Sequence, residues 1–439
     1  MIKLNMFLLL FLIILNSISS KELFEDYYEE AEKILKNMTI YEKIGQMFIG
    51  RYDKDTAEQQ IKEYHIGGFC LFAQNLVNHT EKELIEELEN VQNHSKYLLS
   101  YSVDEEGGTV VRVSLYFRNE TFPSPRESYL KGGINEIKLI ETEKRKLLRK
   151  LNFSVNFAPV ADISTNESDY IYKRTLGENA SLTSDYINAV VDDYVNDEFT
   201  CCLKHFPGYG NNRNTHDDVS HDYRTLDYLK THDLIPFVNS ISHSVPMIMV
   251  SHNIVHDIDD EYPSSISKKV HDLLRNEYSY TGLILTDSLS MGAITKYCKN
   301  TSAGVLAVQA GNDIIVTSTF EEHVKQVIKA FMEGEIEEEI INKAAKRVIA
   351  WKLKYLYKME LELPKNESDE TLYIVLGVGI GLICILIIFL IIYYLKNKNS
   401  ENKENLIVKE NEEEEFKGNK LVRDSTQSEI EAQNNLNKQ

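Results

Sequence analysis

Short apolar runs rich in β-branched residues recur along the chain, and the intervals between them leave room for helices. The runs that predict strands are QMFIG (46–50), GGFCLF (67–72), LLSYSV (98–103), SVNFAPV (154–160), FTCCLKH (199–205), PMIMVS (246–251), LILT (283–286) and DIIVT (313–317). Strands that alternate with helices pair in parallel, and eight of them favour a closed barrel over an open sheet. The pattern therefore predicts an α/β fold of the (β/α)8, TIM-like type.

The intervening stretches carry the periodicity of amphipathic helices. In EKELIEELENV (81–91) and EEHVKQVIKAFM (321–332), apolar residues recur at spacings of three and four, which places them on one helical face. A last helix is predicted over residues 335–358, and its apolar side is expected to close the outer ring of helices. The barrel domain is expected to cover residues 21–360.

The two ends of the chain have a different character from the barrel. Residues 1–20 combine an early lysine, an apolar run and small residues, the pattern of a secretory signal peptide. Residues 371–395 form an uncharged, apolar segment. The segment is long enough to cross a membrane as a helix. Lys396 and Lys398 follow this segment directly, and a basic flank marks the cytosolic side.

These features predict a single-pass type I membrane protein with its barrel in the extracellular space or a lumen, at the cell surface or the endolysosomal membrane. Residues 361–370 would form a juxtamembrane linker, and residues 396–439 an acidic, disordered cytosolic tail. N-x-[ST] sequons, the acceptors of N-glycosylation, occur between residues 37 and 366, and none follows residue 395. This asymmetry agrees with the predicted topology.

Charge and cysteine usage exclude several functional classes. The net charge is −20, and a chain without a basic patch cannot neutralise nucleic-acid phosphates. The five cysteines form neither a CxxC motif nor a recognisable disulfide framework, and HExxH is absent. The sequence therefore predicts no nucleic-acid partner, no metal site and no cofactor, and it indicates no oligomeric state.

Polar residues stand where several predicted strands end. The residues in question are Asp104, Asp162, Arg174, Lys204, His205, His252 and Asp287. In α/β barrels the functional groups project from the C-terminal ends of the strands and from the loops that follow. A single aspartate there is more often a helix cap. Because polar residues recur at several strand ends, they predict one shared pocket.

Five segments carry a resemblance to a known family. DEEGGTVVR (104–112), NFAPVADI (156–163), RTLG (174–177), KHFPGYG (204–210) and GLILTDSLSMGAI (282–294) resemble, in order, the motifs of glycoside hydrolase family 3. They are most similar to its single-domain β-N-acetylglucosaminidase branch, and the resemblance covers roughly residues 26–355. It implies a retaining exo-β-N-acetylhexosaminidase that removes terminal β-linked N-acetylglucosamine from glycans.

The resemblance also implies roles for individual residues. Asp287, in the TD motif, takes the position of the nucleophile that forms a covalent glycosyl-enzyme. His216, in the loop after KHFPG, takes the position of the acid/base, a role that suits histidine near neutral pH. The sugar-binding positions of the family fall on Asp104, Arg112, Arg174, Lys204 and His205.

The sequence departs from the family pattern at Asn214, where an aspartate usually orients the acid/base histidine. An asparagine carbonyl can hold the imidazole tautomer, but it lacks the negative charge that stabilises an imidazolium. We therefore expect a lower pKa for His216 and slower catalysis, unless Asp217 or Asp218 substitutes. A second departure, Tyr209 where bacterial members commonly carry histidine, is expected to matter less.

Three alternatives stay open at the level of the sequence. The departure at Asn214 is compatible with a catalytically weakened, glycan-binding pseudoenzyme that keeps the pocket. A β-glucosidase of the same family is a further reading, although the second domain common among those relatives is lacking. Phosphate could replace water as the acceptor, because a neutral histidine repels an anion less than a carboxylate does.

Overall fold

The computed structural model of the protein describes residues 21–177, 179–299 and 301–362. Its strands are β1 Phe48–Arg51, β2 Gly68–Cys70, β3 Ser100–Val103, β4 Val155–Asn156, β5 Thr200–Phe206, β6 His221–Asp222, β7 Met247–Val250, β8 Ile254–Val255, β9 Leu283–Thr286 and β10 Ile315–Thr317. Eight of them form one sheet in the order β10-β1-β2-β3-β4-β5-β7-β9. Each of the paired neighbours in this sheet is parallel.

The sheet closes on itself. A parallel bridge between Leu285 and Ile314 connects β9 to the residue before β10, so the two ends of the strand order meet. All eight predicted strands are present, and the α/β, TIM-like barrel expected from the sequence is confirmed. The predicted strand over residues 154–160 shrinks to Val155–Asn156, and Val160 returns to the sheet through a bridge to Lys204.

Helices surround the barrel. They are α1 Tyr28–Leu35, α2 Ile40–Gln46, α3 Lys54–Tyr64, α4 Glu81–Gln92, α5 Ser114–Phe117, α6 Pro125–Lys150, α7 Ala180–Asn196, α8 Leu226–Thr231, α9 Ile235–Ser242, α10 Lys268–Asp272, α11 Gly292–Tyr297, α12 Ala303–Ala310, α13 Phe320–Met332 and α14 Glu338–Glu362. The predicted helices over residues 81–91 and 321–332 correspond to α4 and α13. The predicted last helix is α14, which begins at Glu338.

The apolar core has two layers, as a barrel requires. Inside the barrel, Met247, Met249, Leu283 and Leu285 are buried together with Trp351 of α14. The larger cluster fills the space between the strands and the surrounding helices. Both layers hold the strands rigidly, so the loops at the C-terminal ends of the strands are presented from a fixed frame.

The described residues contain no helix that is long and apolar enough to cross a membrane. The predicted signal peptide (1–20), transmembrane helix (371–395) and cytosolic tail (396–439) lie outside the described residues. Helix α14 ends at Glu362, two residues inside the segment assigned to the linker, and the rest of that segment is also outside. These assignments stay predictions.

Candidate active site

A cavity of about 350 Å³ opens at the C-terminal ends of the barrel strands. Among the residues that line it are seven predicted from the sequence: Asp104, Arg112, Arg174, Lys204, His205, His216 and Asp287. The eighth, Asn214, lies behind His216 and hydrogen-bonds to it. The structure therefore brings together all of the predicted site residues, although they come from strand β5 and from the loops that follow β3, β4, β5 and β9.

A buried ion-pair network forms the cationic side of the cavity. Lys204 Nζ lies 2.7 Å from Asp104 Oδ1 and 2.6 Å from Glu106 Oε1. The Arg174 guanidinium binds both oxygens of Glu106, at 2.8 and 2.7 Å. Burial acts to raise the pKa of Glu106, but Arg174 and Lys204 outweigh it and hold that pKa well below its ordinary value. Glu106 is therefore ionised and orients both cations.

Glu105 shapes the loop that carries Arg112. Its carboxylate accepts hydrogen bonds from the backbone N–H groups of Arg112 (2.8 Å) and Val113 (2.6 Å) and from the Ser114 hydroxyl (2.5 Å). These bonds start the short helix α5 and leave the Arg112 side chain at the cavity wall. Asp104 and Glu106 thus share Lys204, whereas Glu105 binds groups at the start of α5.

His205 is held in one orientation by a buried aspartate. Its Nδ1 lies 2.6 Å from Asp162 Oδ2, and the Tyr209 backbone N–H donates to Asp162 Oδ1 at 2.7 Å. The Nε2 atom of His205 is 3.4 Å from Arg174 Nη2. Because Nδ1 faces a carboxylate, Nε2 is the nitrogen that His205 presents toward the cavity.

Asp287 stands directly after β9, which fixes its backbone. Its N–H donates to Val250 O at 2.9 Å, and its Oδ1 accepts from Ser288 N at 2.7 Å. Burial acts to raise the pKa of Asp287, but nearby His252, His205 and His216 outweigh this effect and lower it. A rigid, ionised carboxylate at the wall of a cavity has the properties that a nucleophile requires.

His216 reaches the cavity from the loop between β5 and β6. Its Nδ1 is 2.8 Å from Asn214 Oδ1 and 3.3 Å from the Tyr170 hydroxyl. The Asn214 amide nitrogen donates to Asp217 Oδ2 at 2.9 Å. Asp218 instead pairs with Lys296, at 3.4 Å. Of the two aspartates considered from the sequence, Asp217 is the one in contact with Asn214.

The loop rests on the start of helix α11. The backbone N–H groups of Gly292 and Ala293 donate to His216 O (3.0 Å) and Thr215 O (3.1 Å), and Lys296 Nζ donates to Asp217 O at 2.7 Å. A side chain at position 292 would place Cβ 2.6 Å from His216 O. The close approach of loop and helix thus depends on the glycine.

Sequence reasoning missed two residues that contact the predicted ones. Glu106 lies in the segment DEEGGTVVR (104–112), but a run of three acidic residues does not reveal which of them faces the cations. Tyr170 lies in an irregular loop without periodicity, and its hydroxyl contacts His216. Within the ranges that the structure describes, no group of histidine, cysteine and acidic side chains is arranged to hold a metal ion.

Comparison with known proteins agrees with this geometry. Residues 39–351, most of the chain, match the model of the glycosyl hydrolase family 3 N-terminal domain. The beta-hexosaminidase LpqI of Mycobacterium tuberculosis is 27% identical over 325 residues, which are 71% of this chain and 82% of the relative. A beta-hexosaminidase of Idiomarina loihiensis is 30% identical over 279 residues, which are 60% of this chain and 80% of the relative.

A solved structure shows the same relationship in three dimensions. The chain is similar to a glycoside hydrolase family 3 beta-N-acetylglucosaminidase from Paenibacillus sp., with a TM-score of 0.69 and 27% sequence identity. The similarity covers 73% of this chain and 63% of that one, so the protein spans less than two thirds of the Paenibacillus enzyme. Because the family model covers the whole barrel and its catalytic face, the chain belongs to glycosyl hydrolase family 3 and is a glycosidase.

Proposed function

We propose that the protein is a retaining exo-β-N-acetylhexosaminidase that hydrolyses terminal β-linked N-acetylglucosamine from glycans. The observation that carries this proposal is that Asp287 and His216 line one cavity together with a ring of charged side chains. The activities for which the relatives are named, beta-hexosaminidase and beta-N-acetylglucosaminidase, support the same activity here.

In the first step, a carboxylate oxygen of Asp287 attacks the anomeric carbon of the sugar. The bond to the leaving oxygen breaks while His216 donates its proton to that oxygen, and the sugar stays covalently bound to Asp287. In the second step, His216 takes a proton from water as the water oxygen attacks the same carbon. The bond to Asp287 breaks as the bond to the water oxygen forms, and the sugar leaves with its original anomeric configuration.

The charged ring is proposed to bind the hydroxyl and acetamido groups of the sugar. Asp104 offers acceptors, Arg112, Arg174 and Lys204 offer donors, and His205 presents Nε2. Hydrogen bonds to charged groups are among the stronger ones, and a sugar that leaves them unpaired is rejected. A cavity of about 350 Å³ lies at the small end of the range for ligand sites. It suits a single terminal sugar, and therefore exo-acting hydrolysis.

The test is release of 4-nitrophenol from its N-acetyl-β-glucosaminide by residues 21–362, beside Asp287→Asn. We expect turnover that falls by about 10³-fold or more in the variant, because the nucleophile is lost. A 5-fluoro glycosyl fluoride should add its sugar mass to the peptide that contains Asp287. Faster turnover of the 4-nitrophenyl β-glucoside than of the N-acetyl-β-glucosaminide would overturn the proposal. Equal turnover rates of wild type and Asp287→Asn would also overturn it.

We also propose that the glycosidase is a type I membrane glycoprotein, facing the extracellular space or a lumen. Residues 1–20, residues 371–395 and the sequon distribution support this topology. The test is protease protection of the full chain in microsomes, with antibodies against the barrel and against residues 396–439. Digestion of the tail with protection of the barrel is expected, and the reverse pattern would contradict it.

A further inference from the structure

The side chain of Asn214 bridges the acid/base histidine and an aspartate. Its Oδ1 accepts from His216 Nδ1 at 2.8 Å and from the His216 backbone N–H at 3.1 Å. Its Nδ2 donates to Asp217 Oδ2 at 2.9 Å. These contacts form a continuous chain from imidazole through amide to carboxylate.

The Asp217 carboxylate and the His216 backbone N–H together determine which way the amide points. An ionised carboxylate only accepts hydrogen bonds, so Asn214 must turn its NH₂ group toward Asp217 and its oxygen toward His216. The oxygen then requires Nδ1 of His216 to carry a hydrogen. In that tautomer Nε2 is the nitrogen that gains and loses the catalytic proton. With the amide reversed, its NH₂ group would face Nδ1 and favour the wrong tautomer.

The carboxylate also supplies the negative charge that Asn214 lacks. A hydrogen bond to a carboxylate polarises the amide, and linked hydrogen bonds strengthen one another. The polarised oxygen stabilises the imidazolium more than an isolated amide does. The other polar or charged groups facing His216 are Tyr170 from the loop after β4, His252 from the loop after β7, Asp287 after β9, and Lys296 of α11, which binds Asp217 O.

We propose that Asp217 is a positioning residue of the acid/base: acting through Asn214, it fixes the tautomer of His216 and favours its protonated form. It thereby provides the charge that this chain lacks at position 214. The inference rests on the proposed role of His216, and it requires no rearrangement of the loop. Asp218 has no such role, because its carboxylate contacts Val219 N and Lys296.

The matched variants are Asp217→Asn and Asp218→Asn, which remove the same charge from adjacent positions of one loop. Each is assayed for kcat/KM against pH on two substrates. A β-linked N-acetylglucosamine disaccharide needs a proton on its leaving oxygen, whereas 4-nitrophenolate leaves without one. Comparison of the two substrates therefore isolates proton donation by His216 from sugar binding.

For Asp217→Asn we expect kcat/KM on the disaccharide to fall about 10-fold near pH 7. The basic limb of its pH profile should move down by about 0.5 unit, because the protonated form of His216 loses a nearby negative charge. The 4-nitrophenyl substrate should change less than about two-fold. Asp218→Asn should resemble wild type on both substrates, and equal effects of the two variants would overturn the inference.

Two further measurements keep the proposal separate from the proposed function. An NMR titration of the His216 ring, without substrate, should give a lower pKa in Asp217→Asn than in wild type and Asp218→Asn. In an Asn214→Asp background, the aspartate contacts His216 directly, so Asp217→Asn should lower that pKa by less than it does in the wild-type background. If wild type hydrolyses neither substrate, the proposed function is wrong. If the His216 pKa is unchanged in Asp217→Asn, the positioning role of Asp217 is wrong.

Discussion

At the scale of single residues, Glu106 organises the cationic wall of the cavity. Glu106 is 3% exposed, and its carboxylate binds both Lys204 and Arg174. Glu106→Gln would leave these two buried cations with less negative charge between them. Breaking one member of a buried ion-pair network typically costs about 3 kcal/mol or more. We expect the free energy of unfolding at pH 7 to fall by about 3 kcal/mol, measured by urea denaturation.

The pH dependence of this loss has a definite sign. The pKa of Glu106 is lowered in the folded state, whereas an unfolded glutamate titrates near 4.3. Its stabilisation is therefore fully present above about pH 4.3 and is lost as the pH falls toward the folded pKa. Wild type should lose more stability than Glu106→Gln between pH 5 and 3. Parallel stability curves for wild type and Glu106→Gln would contradict this assignment, whereas exposed Glu120→Gln, which keeps Glu106, should follow the wild-type curve.

Tyr209 holds the loop of His216 from below. Its hydroxyl donates to Arg213 O (2.9 Å), accepts from Thr215 N (2.7 Å) and contacts Thr215 Oγ1 (3.0 Å). Tyr209→Phe would leave the Thr215 N–H unpaired, so we expect unfolding stability to fall by about 1–2 kcal/mol. Because the loop that positions His216 loosens, kcat/KM on the disaccharide, whose leaving oxygen needs a proton from His216, should fall about 10-fold. Tyr223→Phe serves as the control, because Tyr223 is exposed. Equal activities of Tyr209→Phe and Tyr223→Phe would contradict the anchoring role of Tyr209.

The sequence predicted that the residues at strand ends lie close together, as they do around the cavity, but it did not reveal the residues that hold them in place. Lys204, His205 and Asp287 could be placed together because topology alone brings the C-terminal ends of parallel strands to one face. The bridge from His216 to Asp217 and the three bonds of the Tyr209 hydroxyl arise in a loop without periodicity. Their geometry depends on backbone turns and on the docking of α11, which residue spacing does not encode.

At the scale of elements, the barrel strands were predictable and the two accessory strands were not. The barrel strands are buried runs of apolar residues, which give a strong signal. Strands β6 and β8 are two residues long, and β6 alternates an exposed with a buried residue. Strand β6 holds the far end of the His216 loop, since Asn212 Nδ2 donates to Asp222 Oδ2 at 2.9 Å.

The contact between the His216 loop and α11 makes a prediction about Gly292. In Gly292→Ala the new Cβ would lie 2.6 Å from His216 O and 2.8 Å from Asp217 O, closer than such atoms can approach. The loop must lift, and misplacement by about 1 Å can cost about 10²-fold in rate. We expect kcat/KM on the disaccharide to fall by about 10²-fold in Gly292→Ala, while the melting temperature changes by less than about 3 °C.

The matched control is Gly177→Ala, where the added methyl would lie 4.0 Å from Arg126 Nη2 and has room. That variant should keep activity near the wild-type level. Hydrogen exchange of residues 211–220 should rise in Gly292→Ala and stay unchanged in the control. Full activity in Gly292→Ala would show that catalysis does not depend on the contact between the His216 loop and α11.

At the scale of the whole molecule, the closed barrel could be predicted from the sequence. The role of its last helix, α14, could be predicted only in part. The apolar side of α14 was expected to complete the outer ring. In the structure its Trp351 also lies within the inner core, where the indole N–H donates to Thr200 Oγ1 at 3.0 Å, at the start of β5. Helix α14 therefore covers the N-terminal end of the barrel, opposite the catalytic face, a contact that periodicity alone does not reveal.

Lys352 connects this helix to the starts of three neighbouring strands. Its Nζ donates to Gln46 Oε1 (2.7 Å), Gly67 O (2.6 Å) and Leu98 O (2.7 Å), and the residue is 4% exposed. Methionine would keep the apolar stem and remove all three donors. Each unpaired buried acceptor costs about 1–3 kcal/mol, partly offset because a buried charge is also removed. For Lys352→Met we expect a net loss of about 3 kcal/mol in unfolding free energy.

For a domain of this size the loss corresponds to a melting temperature lower by about 5–10 °C. Lys343→Met on the same helix is the control, because Lys343 is exposed and pairs with Glu339 on the surface. Below the transition, kcat/KM of Lys352→Met should equal that of wild type, since the substitution lies at the end of the barrel opposite Asp287. In this barrel the N-terminal end is expected to stabilise the fold and the C-terminal end to carry catalysis. Lower activity of Lys352→Met at unchanged stability would contradict this separation.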